Sequence, residues 1–285
     1  MPWKDALIVS IPLLAIGTVL RGRRGAVGGA AAFMRETGIV MALYTLWTYM
    51  GSLSLRHVDG AMSRGESVWE VERALHISTE AAIQRFFLEH EGLVRFFNQY
   101  YAWVHVPALV VFLVWLFLRH RDRYPEWRTT LAVLTGVCFT IQLISVAPPR
   151  MYPEFGFVDT GAAFGQSVYG RLGDPGPAQL GAMPSVHIAW AVLIVWAVVA
   201  VSRRRWRWLA VGHAALTFLV VVATANHWWL DGIVATALLV TVRLALPAMY
   251  ALGRAVRTAV APPAPAPAIG LVAEEATEPS GSGPG

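Results

Sequence analysis

The segment ANHWWLD, residues 225–231, carries a histidine and an aspartate four positions apart. On an α-helix this spacing puts His227 and Asp231 on one face, where the carboxylate can accept a hydrogen bond from one imidazole nitrogen. Such a bond fixes the tautomer and leaves the second nitrogen free to attack an electrophile. The pair therefore predicts that His227 acts as a nucleophile or base and that Asp231 orients it.

A second polar cluster, MPSVH at residues 183–187, stands directly before an apolar run. Pro184 suits a helix start, and Ser185 either caps that helix or turns its hydroxyl outward. Free N–H groups of a first helical turn favour a bound anion. We expect His187 to lie just above them and to protonate a leaving oxygen.

A third cluster, APPR, ends in Arg150. Its planar guanidinium matches the geometry of phosphoryl oxygens. Two histidines and an aspartate also resemble a metal-ligand set. However, the His227–Asp231 contact uses one imidazole nitrogen, and an arginine beside a helix N-terminus suits phosphate better than a cation. We therefore expect phosphoryl chemistry without a metal or other cofactor.

A polar stripe lies in the segment NQYYAWVH. Asn98, Tyr101 and His105 are three and four positions apart and so share one face of a helix. They are candidates to line a pocket for an acceptor or headgroup. Hydrogen bonding between neighbouring helices is the alternative explanation for such a stripe.

The elements that carry these clusters have a membrane composition. Of the 285 residues, 56% are hydrophobic and 14% charged, and the mean hydropathy is +0.51, which is too apolar for an ordinary soluble domain. Seven apolar runs have lengths near that of a bilayer span. They are residues 6–20, 37–55, 99–118, 129–147, 186–201, 206–225 and 230–252.

These runs predict an all-α fold, a polytopic membrane bundle of six core transmembrane helices. The first run is shorter, since 15 residues reach only about 22 Å, and it predicts an additional short N-terminal hydrophobic helix. The sequence thus divides into three predicted segments. Residues 1–35 form the N-terminal helix with a basic cytoplasmic loop, and residues 36–252 form the core with an outer amphipathic helix at 66–95. Residues 253–285 form a disordered cytoplasmic tail.

Arginine placement predicts the orientation of the core. Four regions rich in arginine fall on one side if every run from residue 37 onward spans the bilayer, and the positive-inside rule makes that side cytoplasmic. They are residues 21–35, 119–128, 203–207 and 254–257. This distribution explains the net charge of +5 without nucleic acid. All three polar clusters then face the extracytoplasmic side, and we expect a bacterial cytoplasmic membrane.

The pieces PPR, MPSVH and NHWWLD, in this order and at these membrane ends, resemble the type 2 phosphatidic acid phosphatase superfamily. Within it they are most similar to the branch of inositol phosphorylceramide synthases. The resemblance covers about residues 36 to 250. It implies that His227 forms a phosphohistidine, that Asp231 orients it and that His187 is the general acid. It also implies that Ser185 and Arg150 hold phosphate.

Two positions depart from the family pattern. No lysine precedes Arg150 at the usual distance, and Val221 stands six residues before His227, where the pattern has arginine. Arg171, on the long loop 148–184, is a candidate substitute, and so are backbone N–H groups of that loop.

The sequence thus predicts an integral membrane phosphoryl transferase acting on a lipid phosphate or phospholipid. Water as the second acceptor would make it a lipid phosphate phosphatase, whereas a polyol such as inositol would make it a transferase. The branch resemblance favours the transferase. A non-catalytic membrane binding or transport protein is the alternative from another class, although the candidate residues gather at one face and do not follow a midplane route.

Overall fold

We describe a computed structural model of the chain over residues 3–54, 59–169 and 179–260. These residues form α-helices and short 3-10 turns, without a β-strand among them, and the prediction of an all-α chain is confirmed. The helices are α1 Trp3–Val19, α2 Gly25–Ser54, α3 Ala61–Ala74, α4 Glu80–Leu88, α5 Glu91–Trp103, α6 His105–Arg119, α7 Tyr124–Gln142, α8 Thr160–Ala163, α9 Val186–Val201, α10 Arg207–Ala223 and α11 Trp229–Val260. The 3-10 turns are Pro149–Met151 and Pro153–Phe155.

Six of the seven apolar runs each fall mainly in one helix, whereas the run 99–118 is divided between α5 and α6. In the described part of the chain, Gly25–Leu46 of α2 and Trp229–Gly253 of α11 are long and apolar enough to cross a membrane. Helices α5 and α6 meet the same criterion only as a pair bent by 51°. Helices α9 and α10 are apolar but shorter. A membrane helical protein is therefore supported, and the number of six core spans stays a prediction.

The surface of these helices is strongly apolar. Large side chains such as Val19, Leu209 and Leu244 are between 74% and 81% exposed. Threonine hydroxyls inside the helices donate to the carbonyl four residues earlier, as Thr140 does to Gly136 and Thr236 does to Gly232. Polar groups are thus satisfied within the helix while apolar side chains cover it, as contact with lipid requires.

The segment 66–95 is divided, which differs from the single amphipathic helix predicted for it. Helix α3 ends at Ala74, α4 runs from Glu80 to Leu88, and α5 begins at Glu91. The first break turns at His76, whose φ of 59° lies in the left-handed region. Its backbone N–H donates to the carbonyl oxygen of Arg73, and that of Ile77 donates to the carbonyl oxygen of Glu72. These two bonds close the end of α3. The break lets α4 pack against α10 instead of continuing α3.

The core of residues 1–246 consists of three apolar clusters. The largest joins α6, α7 and α9, with Leu116, Leu134 and Leu193 at its centre. The second joins α5 to the end of α10. The third packs the loop after α7 around the indole of Trp228. The second and third clusters flank the segments that carry the candidate site residues.

Backbone hydrogen bonds join the three segments that carry the polar clusters, 145–152, 180–187 and 225–231. The N–H of Val146 donates to Leu180 (2.7 Å), that of Ala182 to Val146 (3.2 Å), that of Arg150 to Ala225 (2.8 Å) and that of Ser185 to Asp231 (3.2 Å). The predicted convergence of these segments thus has a direct backbone cause.

By their internal contacts, the described residues up to 246 form one compact unit, and those from 247 onward belong to a second. In the second unit the described residues, 247–260, are helical. The predicted disordered tail begins at residue 253, so residues 253–260 of it are helical, whereas 261–285 lie outside the described residues.

Gly65 allows close contact between α3 and the loop that bears Arg150. A Cβ at this position would lie 2.1 Å from the hydroxyl oxygen of Tyr152 and 2.7 Å from the carbonyl oxygen of Ala147. We expect Gly65→Ala to push α3 off this loop and to lower the free energy of unfolding by about 1–3 kcal/mol. Thermal unfolding in detergent micelles measures the change.

Gly92→Ala is the matched control, because Gly92 is also helical and its added Cβ would meet nothing within 4 Å. Alanine is the better helix former by about 0.5–1 kcal/mol, so this variant should be as stable as the wild type or more so. Equal melting temperatures for Gly65→Ala and the wild type would contradict the packing explanation.

Candidate active site

The imidazole of His227 is held by two acceptors on one nitrogen. Its Nδ1 lies 2.9 Å from the carbonyl oxygen of Ala182 and 3.1 Å from Oδ2 of Asp231. Since neither acceptor carries a proton to give, Nδ1 is the protonated nitrogen and donates to both. Nε2 therefore keeps its lone pair, as a nucleophilic histidine requires.

His227 and Asp231 meet by a different local structure from the predicted helical face. His227 lies in the turn before α11, and Asp231 is the third residue of that helix. Oδ2 of Asp231 also accepts the N–H of Trp228 at 2.8 Å, as the acid of a capping box does. One fully buried carboxylate thus caps the start of α11 and also orients the imidazole of His227.

His187 stands beside the free nitrogen of His227. Its Nδ1 lies 3.3 Å from His227 Nε2, at the first turn of α9. Because His227 Nε2 is an acceptor, Nδ1 of His187 is the donor in this contact. The two imidazoles are therefore in direct contact, and one proton lies between His187 and the lone pair of His227.

Ser185 caps α9. Its Oγ accepts the N–H of Ile188 at 3.3 Å, and the residue is fully buried. Of the two sequence alternatives, the structure contains the cap. The hydroxyl proton is still available to donate, since the cap uses only the oxygen as acceptor.

Arg150 reaches the same turn and is fixed by four neighbours. Its Nε donates to Oδ1 of Asn226 (3.1 Å), Nη1 to Oδ2 of Asp159 (3.2 Å) and Nη2 to the carbonyl of Gln179 (3.3 Å). The guanidinium carbon lies 4.2 Å from the ring centroid of Tyr169. A guanidinium has five N–H donors, so Nη1 and Nη2 each keep one beyond these bonds.

The polar stripe of α5 and α6 is split between two locations. The rings of Tyr101 and His105 lie 4.7 and 4.6 Å from that of His187, between centroids. His105 is buried and its Nε2 has no hydrogen-bond partner among the described residues. Asn98 instead exchanges hydrogen bonds with Thr160 and donates to Gln166, and so holds the loop at α8.

Two residues bear on the cations of the family pattern that this sequence lacks: Arg171, the candidate substitute, and Val221, at the position of the family arginine. Arg171 lies outside the described residues. Val221 is fully buried, and its carbonyl accepts the N–H groups of Asn226 (3.0 Å) and His227 (3.2 Å). The residue at the position of the family arginine therefore shapes the turn of His227 through its backbone, and its side chain adds no charge.

Several contributors to this site have no motif in the sequence. Asn226 and Asp159 accept hydrogen bonds from Arg150, and the ring of Tyr169 lies against its guanidinium. The hydroxyl of Tyr169 is hydrogen-bonded to that of Tyr101 at 2.6 Å. Glu72 and Glu80 accept backbone N–H groups at the start of α11. The adjacency of Asn226 to His227 was an available signal. The two glutamates are eight residues apart across a helix break, so no helical periodicity relates them.

The described residues contain no group of three or more His, Cys, Asp or Glu side chains arranged to hold a metal ion. The single cysteine, Cys138, is buried in α7. Arg150, Ser185 and His187 offer N–H and O–H donors, and His227 offers a lone pair. Such an arrangement suits an anion next to a nucleophile.

A sequence model of the PAP2 superfamily matches residues 66–245, a range that contains all three polar clusters. No curated protein and no solved structure shows a significant match to the chain. The resemblance is thus confirmed for the superfamily, while the inositol phosphorylceramide synthase branch stays a prediction. Because the match covers more than half of its length, the chain belongs to the PAP2 superfamily, whose members are generally enzymes with phosphatase or phosphotransferase chemistry.

Proposed function

We propose that this chain is an integral membrane phosphoryl transferase that acts on a lipid phosphate or phosphodiester through a phosphohistidine at His227. The observation that carries the proposal is the hydrogen bonding of the histidine pair. Nδ1 of His227 faces two acceptors, and its Nε2 faces His187 at 3.3 Å. The proposed nucleophile and the proposed acid are thus adjacent, and the nucleophilic nitrogen of His227 carries no proton.

The reaction has two steps. First, Nε2 of His227 attacks phosphorus, the bond from phosphorus to the alkoxy oxygen breaks, and His187, in its imidazolium form, gives one proton to the departing oxygen and is left neutral. Then water or an alcohol attacks the phosphohistidine, His187 takes the proton of the attacking hydroxyl, and His227 is released. The two remaining N–H groups of Arg150 and the hydroxyl of Ser185 bind the phosphoryl oxygens, with Arg171 and loop N–H groups as further candidates.

We assign the acceptor side of the pocket to Tyr101 and His105, whose rings adjoin His187. The unpartnered, buried Nε2 of His105 supports this assignment, because a hydroxyl of a bound polyol would satisfy it. Asn98 contributes indirectly, through the loop that it holds.

Charge favours a phosphodiester over a phosphomonoester as substrate. A phosphomonoester is close to doubly charged at neutral pH, whereas a phosphodiester carries a single charge. Arg150 is paired with Asp159, and Val221 occupies the position of the family arginine. The proposed inositolphosphotransferase-like activity, which starts from a phospholipid and passes a phosphoryl headgroup to a polyol, fits this lower positive charge better than a lipid phosphate phosphatase does.

We also propose six core spans in a bacterial cytoplasmic membrane, with the site on the extracytoplasmic side. Supporting this orientation, the charged side chains Glu36 and Arg128 pair near the start of α7, whereas the histidine pair adjoins segments that follow its end. Arginine-rich loops at the former end suit the cytoplasm.

Replacing either histidine should reveal its role. In EDTA, with a phospholipid substrate, we expect His227→Ala to abolish turnover and phosphoenzyme formation, and His187→Ala to slow turnover by about 10²–10⁴-fold. A substrate with a nitrophenol leaving group should restore His187→Ala, because that group departs without protonation, but not His227→Ala. The exposed His90→Ala is the control and should match the wild type. Turnover retained by His227→Ala would refute the mechanism.

Product analysis distinguishes the candidate functions. With a panel of phospholipids and lipid phosphates, each with and without inositol or a sugar, we expect a new phosphodiester from a phospholipid plus polyol. Mass spectrometry of the lipids and a free-phosphate assay measure both outcomes. Free phosphate from lipid phosphates alone would make the chain a phosphatase. Absence of turnover with every substrate would favour the non-catalytic binding or transport alternative.

Labelling of single cysteines tests the orientation. In a Cys138→Ala background, we expect Ala163→Cys, exposed at α8, to react with a membrane-impermeant maleimide from outside the cell. Arg121→Cys, exposed between α6 and α7, is the matched control and should react only after permeabilisation. The reverse pattern would overturn the topology.

A further inference from the structure

Two glutamates from the outer helices reach the start of α11. Oε1 of Glu72, from α3, accepts the N–H of Leu230 at 2.7 Å, and Oε1 of Glu80, from α4, accepts that of Trp229 at 3.2 Å. Both glutamates are fully buried. Buried acids of this kind need a structural or chemical reason, because removing a carboxylate from water is costly.

With Asp231, the two glutamates complete a series. The N–H groups of three successive residues after His227, namely 228, 229 and 230, each donate to a separate carboxylate. These are donors that a helix start leaves without a partner in the helix itself. The turn that carries His227 is thus held from two sides, by Asp231 within α11 and by the glutamates of α3 and α4.

Neighbouring side chains strengthen the same attachment. Nε1 of Trp229 donates to the hydroxyl of Thr79 at 3.1 Å, and the ring of Trp69 lies 6.0 Å from that of Trp228, between centroids. Displacement of α3 or α4 would therefore move Trp228 and Trp229, the two residues that directly follow His227.

The carboxyl group of Glu72 is protonated at neutral pH. Burial, followed by the hydrogen bond and charge of Glu80, raises the pKa of Glu72 to about 10. The titratable groups that face Glu72 from the packed elements are Glu80 of α4 and Asp231 of α11, and each raises its pKa. At neutral pH Glu72 is therefore uncharged, and its carbonyl oxygen still accepts the N–H of Leu230.

We propose that Glu72 and Glu80 are positioning residues, whose side chains hold the first turn of α11 by hydrogen bonds and so aim Nε2 of His227 at the substrate. The inference rests on the proposed function, because it takes His227 as the nucleophile. It adds a role for the outer helices α3 and α4 in setting the attack geometry.

Activity measurements test the positioning role. We expect Glu72→Ala to lower kcat by about 10- to 100-fold, with little change in KM, because substrate contacts remain while the nucleophile is misaligned. Glu72→Gln should recover most of that loss, since the amide oxygen still accepts the N–H of Leu230. Glu70→Ala, an exposed acid on the same helix, is the matched control and should behave as the wild type. If Glu72→Ala does not fold, Glu72→Asp replaces it and should lower kcat by withdrawing the carboxyl.

Thermal unfolding in detergent tests the protonation of Glu72 without any substrate. Glu72 holds a proton in the folded chain up to about pH 10, whereas in the unfolded chain it ionises near its ordinary pKa of 4.5. Between these values the folded state binds more protons, so stability falls as pH rises. Glu72→Gln cannot ionise, so its melting temperature relative to the wild type should increase from pH 5 to pH 9. Glu70→Gln should show no such trend.

The outcomes separate this inference from the proposed function. Unchanged kcat in Glu72→Ala would overturn the positioning role, and a melting difference independent of pH would show that Glu72 is not protonated in the folded chain. If the wild type turns over no lipid, the proposed function fails. Hydrogen exchange at the amides of residues 228–230 then decides the inference. Protection in the wild type and Glu72→Gln but not in Glu72→Ala supports it, and equal protection in all three refutes it.

Discussion

The carboxylate of Asp231 is the contact on which the site depends. It is fully buried, it accepts both Nδ1 of His227 and the N–H of Trp228, and the backbone carbonyl of the same residue accepts the N–H of Ser185. A buried carboxylate without such partners would be strongly unfavourable. The start of α11, the tautomer of His227 and the approach of the α9 segment therefore depend on the bonds to Oδ2 and to the backbone carbonyl of this one residue.

The remaining site residues are brought in by loops that the backbone joins to this point. Arg150 binds the turn before His227 twice, by its N–H to Ala225 and by its guanidinium to Asn226. Gln142, at the end of α7, donates to the carbonyls of Gly181 and Pro184 and so holds the segment before α9. The helices thus act as supports whose ends meet, and the chemistry is located in the turns between them.

The sequence predicts the helices well, and it groups candidate site residues that the structure places in segments joined by backbone hydrogen bonds; both have a physical reason. Apolar runs report helices in lipid directly, and polar residues at the same end of several runs must lie at one depth, so Arg150, Ser185, His187 and His227 could be grouped without a structure. The prediction failed where the cause is tertiary. The helix break at His76 contains neither glycine nor proline. Asn98 binds Thr160 and does not join Tyr101 and His105 near His187. Asp159 and Tyr169 contact Arg150 only because the long loop folds back on it.

Electrostatics explains why a neutral Glu72 suits a phosphoryl site. Arg150 is paired with Asp159, so part of the positive charge offered to phosphate is already offset. An ionised Glu72 next to the turn of His227 would add repulsion against an incoming anion. Protonation removes that charge yet keeps the oxygen that accepts Leu230. The outer helices can therefore hold the nucleophile by hydrogen bonds without the full electrostatic cost that two carboxylates would impose on the substrate.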